Sequence, residues 1–136
     1  MNILILHFLP SDSSRHTAIV KKLEQAVAAQ GHSVTVVPAL TDGDTFSDVP
    51  YTYITVVVPC QGVFSSKLSP KVSEVFARCR TLGGKKAAAL VVKTGLFAEK
   101  TCRNLMRAME KEGMFVDYFE VLQNAEQAAY AGGKIG

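Results

Sequence analysis

The chain has no tryptophan, only three cysteines, and no apolar stretch approaching the roughly 20 residues that a membrane helix needs. Cys60, Cys79 and Cys102 are odd in number, widely spaced and form no CxxC pair, so neither a disulfide framework nor a zinc site is indicated. Charge of one sign is also scarce. Fifteen Lys and Arg against 12 Asp and Glu leave a net charge of +3, and no basic run is interleaved with aromatics, which argues against nucleic acid as a partner. Met1 leads directly into a strand-like run with neither a basic n-region nor a small-residue cleavage pattern, so the cytoplasm is the expected location and no membrane partner is expected. What is present suffices for a core: 48% of the residues are hydrophobic, and 136 residues make one ordinary domain, 1–136.

Five short apolar runs punctuate the chain, at Ile3 to Leu6, Val34 to Val37, Tyr53 to Val58, Ala87 to Val92 and Phe115 to Leu122. The middle runs lack period-two alternation, which suits strands buried on both faces of a parallel sheet. The last is interrupted by Asp117 and Glu120 and reads as an edge strand. Between the runs lie helical stripes. The first carries Ile19, Leu23, Ala26 and Val27 and stops at Gln30-Gly31; the second opens at Ser69-Pro70 and repeats Val72, Val75, Phe76 and Cys79, making Cys79 a core residue. A third carries Cys102, Leu105, Met106 and Met109 before Gly113, a methionine stripe explained by packing. Asn124-Ala-Glu-Gln127 resembles a capping box, and Gly132-Gly133 is expected to stop that last helix early. Thr41 to Pro50 is turn chemistry in the place of another helix between the second and third runs. Strand and helix in alternation specify a doubly wound α/β domain.

In such sheets ligands bind beyond the carboxyl ends of the strands, where strand order reverses. Three loops therefore matter: Pro10 to Thr17, Pro59 to Ser69, and Lys93 to Ala98. The first leads from a strand into a helix whose leading N–H groups lack partners and whose dipole favours an anion, most plausibly phosphate. Ser11, Ser13, Ser14 and Thr17 offer hydroxyls there, and Arg15 and His16 offer charge. A solvated loop with an ordinary N-cap is the simpler account of the same residues. The other loops hold Gly62, Phe64, Thr94 and Phe97, either lining a flat ligand or anchoring their loops in the core. No cysteine stands in the first loop to form Cys-x5-Arg, and Asp12 alone cannot make the acidic cluster of a receiver domain. Cys60 follows the third run as a candidate accessible thiol without a local base, near Lys93; His7 reads as structural, and His32 as a turn residue.

The serine-rich loop ending Arg15-His-Thr-Ala18, the stretch Ile54-Thr-Val-Val-Val-Pro-Cys-Gln-Gly62, the entry Gly83-Gly-Lys-Lys-Ala87 and Met109-Glu-Lys-Glu-Gly113 together resemble the flavodoxin-like family, which includes flavodoxins and related flavin and quinone reductases. The resemblance covers nearly the whole chain. It implies a five-stranded parallel sheet in the order 2-1-3-4-5 with helices on both faces, and FMN as cofactor. By that resemblance Ser11, Ser13, Ser14, Arg15, His16 and Thr17 take the phosphate, while Gln61, Gly62, Phe64, Thr94 and Gly95 border the isoalloxazine ring. It further implies electron transfer to a redox partner, or reduction of a small substrate, and for the reductases a homodimer across the cofactor edge. No catalytic side chain and no metal are implied. The chain departs from the pattern in having Arg15-His16 where the phosphate loop usually has a glycine, in Asp12, and in lacking Tyr or Trp from all three loops. Those departures fit the alternative, a flavin-free domain acting as a binding or interaction module.

Overall fold

The computed structural model describes residues 1–62 and 65–136. Five parallel strands, β1 (Asn2–His7), β2 (Ser33–Pro38), β3 (Tyr53–Pro59), β4 (Lys86–Val92) and β5 (Phe115–Leu122), form one sheet in the order β2-β1-β3-β4-β5. They alternate with α1 (Ser14–Ala28), α2 (Ala39–Asp42), α3 (Pro70–Arg78), α4 (Ala98–Lys111) and α5 (Ala125–Gly132). Because successive strand residues point to opposite faces, β1 sends Ile3 and Ile5 to one core and Leu4 and Leu6 to the other. The first pair meets Ile19 and Leu23 of α1 and Ala128 of α5, whereas the second shares a core with Val75 and Phe76 of α3 and Leu105 of α4. β3 and β4 are buried almost end to end, which is why their sequences run apolar without alternation. Each fully buried Ile, Leu or Val side chain contributes about 1.5–3 kcal/mol toward the fold.

β5 is an edge strand, as its two acidic residues suggest, and Asp117 has a specific task there. Val116 pairs with Ala87 and Tyr118 with Ala88, so Asp117 is the extra residue of a bulge. Its carboxylate accepts the hydroxyl of the buried Tyr53 at 2.5 Å. Burial, followed by Asp117, pushes the Tyr53 phenol above its ordinary value.

Two expectations need adjustment. The segment expected to be all turn is preceded and opened by the single turn of α2; beyond it, Asp48 anchors the connection. That buried carboxylate accepts from the N–H of Arg80 (3.0 Å) and from the N–H and hydroxyl of Thr81 (2.7 and 2.9 Å), while Lys85 Nζ donates to the Asp48 carbonyl at 2.6 Å. Burial pushes the Asp48 carboxyl up, but these hydrogen bonds outweigh it and hold the group below its ordinary value. Cys79 packs half-buried against the core, but it caps the C-terminus of α3 rather than lying within the helix, with its Sγ against the Val75 carbonyl at 3.4 Å. The last helix is short and stops at Gly132-Gly133 as expected, with Gly133 as its cap; Gly132 is also where α5 crosses α1, since a Cβ there would sit 2.5 Å from Ala26 Cβ and 3.0 Å from the Leu23 carbonyl oxygen. Gln30 then donates to the carbonyls of Gly132 (2.6 Å) and Ile135 (3.1 Å), tying the end of α1 to the last residues.

Candidate functional site

All five strands are parallel, so their carboxyl ends lie at one edge of the sheet, and the chain reverses its direction of winding between β1 and β3. The loop after β1 begins with Phe8 and Leu9, both 2% exposed, and then emerges into solvent at Pro10, Ser11 and Asp12. Ser13 is the N-cap of α1: its hydroxyl accepts the His16 N–H at 3.3 Å, and its carbonyl accepts both the N–H and the hydroxyl of Thr17, at 3.1 and 3.0 Å. Two of the hydroxyls singled out for phosphate are thus engaged within the first turn, and the Thr17 hydroxyl must turn away from Ser13 before it can donate outward. Ser11 and Ser14 are exposed.

Arg15 does something its sequence position does not announce. Its Nη2 donates to the carbonyl oxygens of Lys93 and Gln123, both at 3.0 Å, just beyond the ends of β4 and β5. The guanidinium therefore straps the start of α1 to the far half of the sheet edge. Among the described residues these bonds use Nη2 alone, leaving Nη1 and Nε to donate elsewhere. Gln61 and Gly62 follow β3 and Thr94 and Gly95 follow β4, at the same end of the sheet; of the four, Gly95 is half-buried and the rest are exposed. Gly62 has φ +110°, with open space among the described residues where a Cβ would be, and Gly95 has φ +72°, backbone that favours glycine. Phe64 lies outside the described residues. Phe97, 38% exposed, is a solvent-facing cap residue of α4 and no core anchor, and its neighbour Leu96 is 73% exposed. Cys60 is buried at the end of β3, not an accessible thiol as expected.

Sequence reasoning missed two features. Asn104 on α4 donates to the Ser66 carbonyl at 2.8 Å and so holds the loop after β3 against the helix that follows β4. Nothing marks Asn104 in the sequence except a polar residue beside the Leu105 stripe. The other feature is a cleft of about 360 Å³ on the β2 side of the first loop, bounded by His7 from β1, Leu9 from the loop after it, Pro38 from β2, and His16, Val20 and Lys21 from α1. It does not lie between the loops after β3 and β4. A more polar cleft of about 320 Å³ lies beside Lys93, Leu96, Glu99, Glu120 and Gln123.

His7 and His16 are both held below the ordinary imidazole value. Burial, then His16, lowers the pKa of His7; burial, then Arg15, lowers that of His16 against an opposing pull from Asp12. His7 Nδ1 accepts the Leu9 N–H at 3.3 Å, and so its single ring proton resides on Nε2. His16 Nδ1 is buried without a hydrogen-bond partner among the described residues. Among those residues no group of three His, Cys, Asp or Glu is placed to hold a metal, and no helix is long and apolar enough to cross a membrane.

No protein-family model and no curated protein sequence matches the chain. Its likeness is to solved structures. Flavodoxin 1 from Bacillus cereus superposes with a TM-score of 0.72 at 13% identity, over 98% of this chain and 96% of that one. A flavodoxin from the domain Archaea gives 0.70 at 14% identity over 99% and 96%, and an NAD(P)H:quinone oxidoreductase from Methanothermobacter marburgensis gives 0.62 at 12% over 98% and 96%. The fold is flavodoxin-like from end to end.

Proposed function

We propose that this domain binds FMN at the carboxyl ends of β1, β3 and β4 and passes electrons or hydride equivalents to a partner or small substrate. The observation that carries the reading is the juxtaposition, at one switch point, of a helix N-terminus, the Arg15 guanidinium, and two glycine turns at Gly62 and Gly95. The likeness to flavodoxins over the whole chain supports it. The residues present fit the cofactor. The N–H groups of the first turn of α1 and the outward donors of Arg15 suit a phosphate dianion, with Ser11 and Ser14 hydroxyls beside them. The glycine turns expose amide groups to the rim of a flat ring, and Leu96 and Phe97 shield it from water. When bound, the flavin supplies the redox chemistry; the protein orients it, excludes solvent and places backbone donors along its edge.

A second reading, a flavin-free interaction module, draws on the Arg15 strap and on the engaged Ser13 and Thr17, which occupy phosphate-binding groups with internal contacts. An FMN titration of the flavin-stripped protein, followed by quenching of flavin fluorescence with riboflavin as the phosphate-free control, separates the two. Saturation at micromolar FMN, about −8 kcal/mol, with much weaker riboflavin, upholds the flavin reading. Loss of that preference in the Arg15→Ala/Thr17→Ala double variant upholds the phosphate assignment; binding of neither flavin leaves the interaction module.

A further inference from the structure

We infer that the outward face of α4 is a docking surface for an acidic partner protein, one that lays a row of carboxylates along the helix and seats an apolar group at its start. The inference names the chemistry of a partner that both functional readings leave open. Only its redox purpose rests on the flavin reading; the docking itself stands on α4.

α4 turns Thr101, Cys102, Leu105 and Met109 inward. At 3.6 residues per turn, Lys100, Arg103, Arg107 and Lys111 fall within about 80° of one another on the opposite side, in a single file about 16 Å long. All of them are exposed. Among the described residues none forms an ion pair, although Glu99 precedes Arg103 and Arg107 precedes Glu110 at spacings that can close one on a helix. Successive members of the file stand three or four residues apart, so each neighbouring pair is a like-charge pair that weakens the helix. Folding therefore gives no reason for the file, whereas an anionic row laid against it relieves the repulsion.

The surroundings of the file select a protein. Its base is rigid, because Leu105 and Met109 are fully buried and Asn104 holds the Ser66 carbonyl at 2.8 Å, which sets the exposed Lys67 on the same flank. At its N-terminal end Leu96 and Phe97 are exposed, and an apolar or aromatic anchor beside complementary charge is how protein interfaces are built. A nucleic acid suits the face poorly: the chain carries only +3, and Glu99 and Glu110 stand together on the other flank, where a second run of phosphates would lie. A lipid surface requires apolar side chains along the whole helix, and here they lie at one end only. A protein can match both parts, with carboxylates over the file and an apolar group on Leu96 and Phe97. Those two residues shield the ring in the flavin reading, so a partner seated on them lies against the cofactor edge.

The test uses the full, flavin-free chain and backbone amide NMR spectra. The probes are an alanine-based helical peptide with its glutamates in one file at the spacing of the α4 cations and a leucine at its end, the same residues with the glutamates spread around the helix, a short DNA duplex, and phosphatidylserine vesicles. The filed peptide is expected to give saturable shifts at Leu96, Lys100, Arg103, Arg107 and Lys111 that weaken as salt shortens the reach of charge. Arg103→Gln/Arg107→Gln, which keeps good helix formers at exposed positions, is expected to weaken binding about tenfold. Lys21→Gln/Lys22→Gln removes as much charge from α1 and is expected to leave the affinity within about twofold. Absence of saturable shifts on α4 overturns the inference, as does equal weakening by the two double variants or equal affinity for the filed and spread peptides. Tighter binding of the DNA at the same amides overturns it in favour of a nucleic acid, and vesicle capture that Arg103→Gln/Arg107→Gln abolishes does so in favour of a membrane. FMN binding is scored in its own titration, and failure there changes none of these outcomes.

Discussion

Single groups in this protein carry more than their exposure suggests, and Asp48 is the clearest. Three hydrogen bonds from Arg80 and Thr81 hold its buried carboxyl below the ordinary range. A carboxyl depressed in the folded state stabilises the fold above its unfolded pKa, roughly 3.9, and that contribution disappears as pH falls through the lower folded value. Asp48→Ala is expected to cost about 2 kcal/mol at pH 7 by urea unfolding, because it strands buried donors. The cost should shrink below about pH 4, as the wild type loses the same contribution. His7 and His16 act in an earlier window with the same sign. Both imidazoles are held below their ordinary value by burial first. They therefore favour the fold when neutral, and stability begins to fall as pH drops below about 6.5. His16→Asn should flatten the urea-midpoint profile between pH 7 and 5 and leave the acid limb intact. Thiols give a third check. Burial, followed by Asp48, raises Cys79 to about 12, and burial, followed by Glu120, raises Cys102 to about 11. Neither should react appreciably with an alkylating reagent at pH 8 until the protein is unfolded.

At the scale of elements, the contact of α5 with α1 is the most demanding. Gly132 lets the helices touch, and Gln30 fastens the chain beyond it. Gly132→Val is expected to destabilise by about 1–3 kcal/mol through overpacking. Gly83→Ala, where a Cβ meets nothing closer than 3.8 Å, should stay within about 0.5 kcal/mol of wild type. A sequence reader sees Gly132-Gly133 as a stop; only the partner helix reveals it as a point of close approach. The capping residues, in contrast, were legible. Ser69 accepts from Lys71 N–H ahead of Pro70, and Asn124 accepts from Gln127 N–H, as their motifs indicate. Gln127 departs from the reciprocal pattern, reaching the N–H of Gln123 at 2.6 Å, one residue ahead of the cap.

For the whole molecule, both cores share one sheet and every strand except the outer two is covered on both sides, so unfolding should be a single transition. If FMN binds only the folded chain, a concentration 100-fold above its dissociation constant adds roughly 2.7 kcal/mol. Thermal scans should then show a concentration-dependent rise with FMN and a smaller one with riboflavin. A midpoint insensitive to FMN at every concentration would remove the flavin reading and leave the fold untouched.

The sequence by itself determined the strands, the three longer helices and the doubly wound class. Those follow from local periodicity, capping chemistry and the need to cover a parallel sheet on two faces, all written in neighbouring residues. It also picked out the segment Ser11 to Thr17, because hydroxyls at a helix start are visible without a fold. Only the tertiary structure decided what those residues touch. Arg15 bonds to carbonyls 78 and 108 positions away, Asn104 to one 38 positions back, and Asp117 becomes the bulge that receives Tyr53. The cleft of His7, His16, Lys21 and Pro38 belongs to the same category. Hydrogen bonds to backbone carbonyls and the shape of a cavity depend on which strands lie side by side, and no periodicity in the chain encodes that.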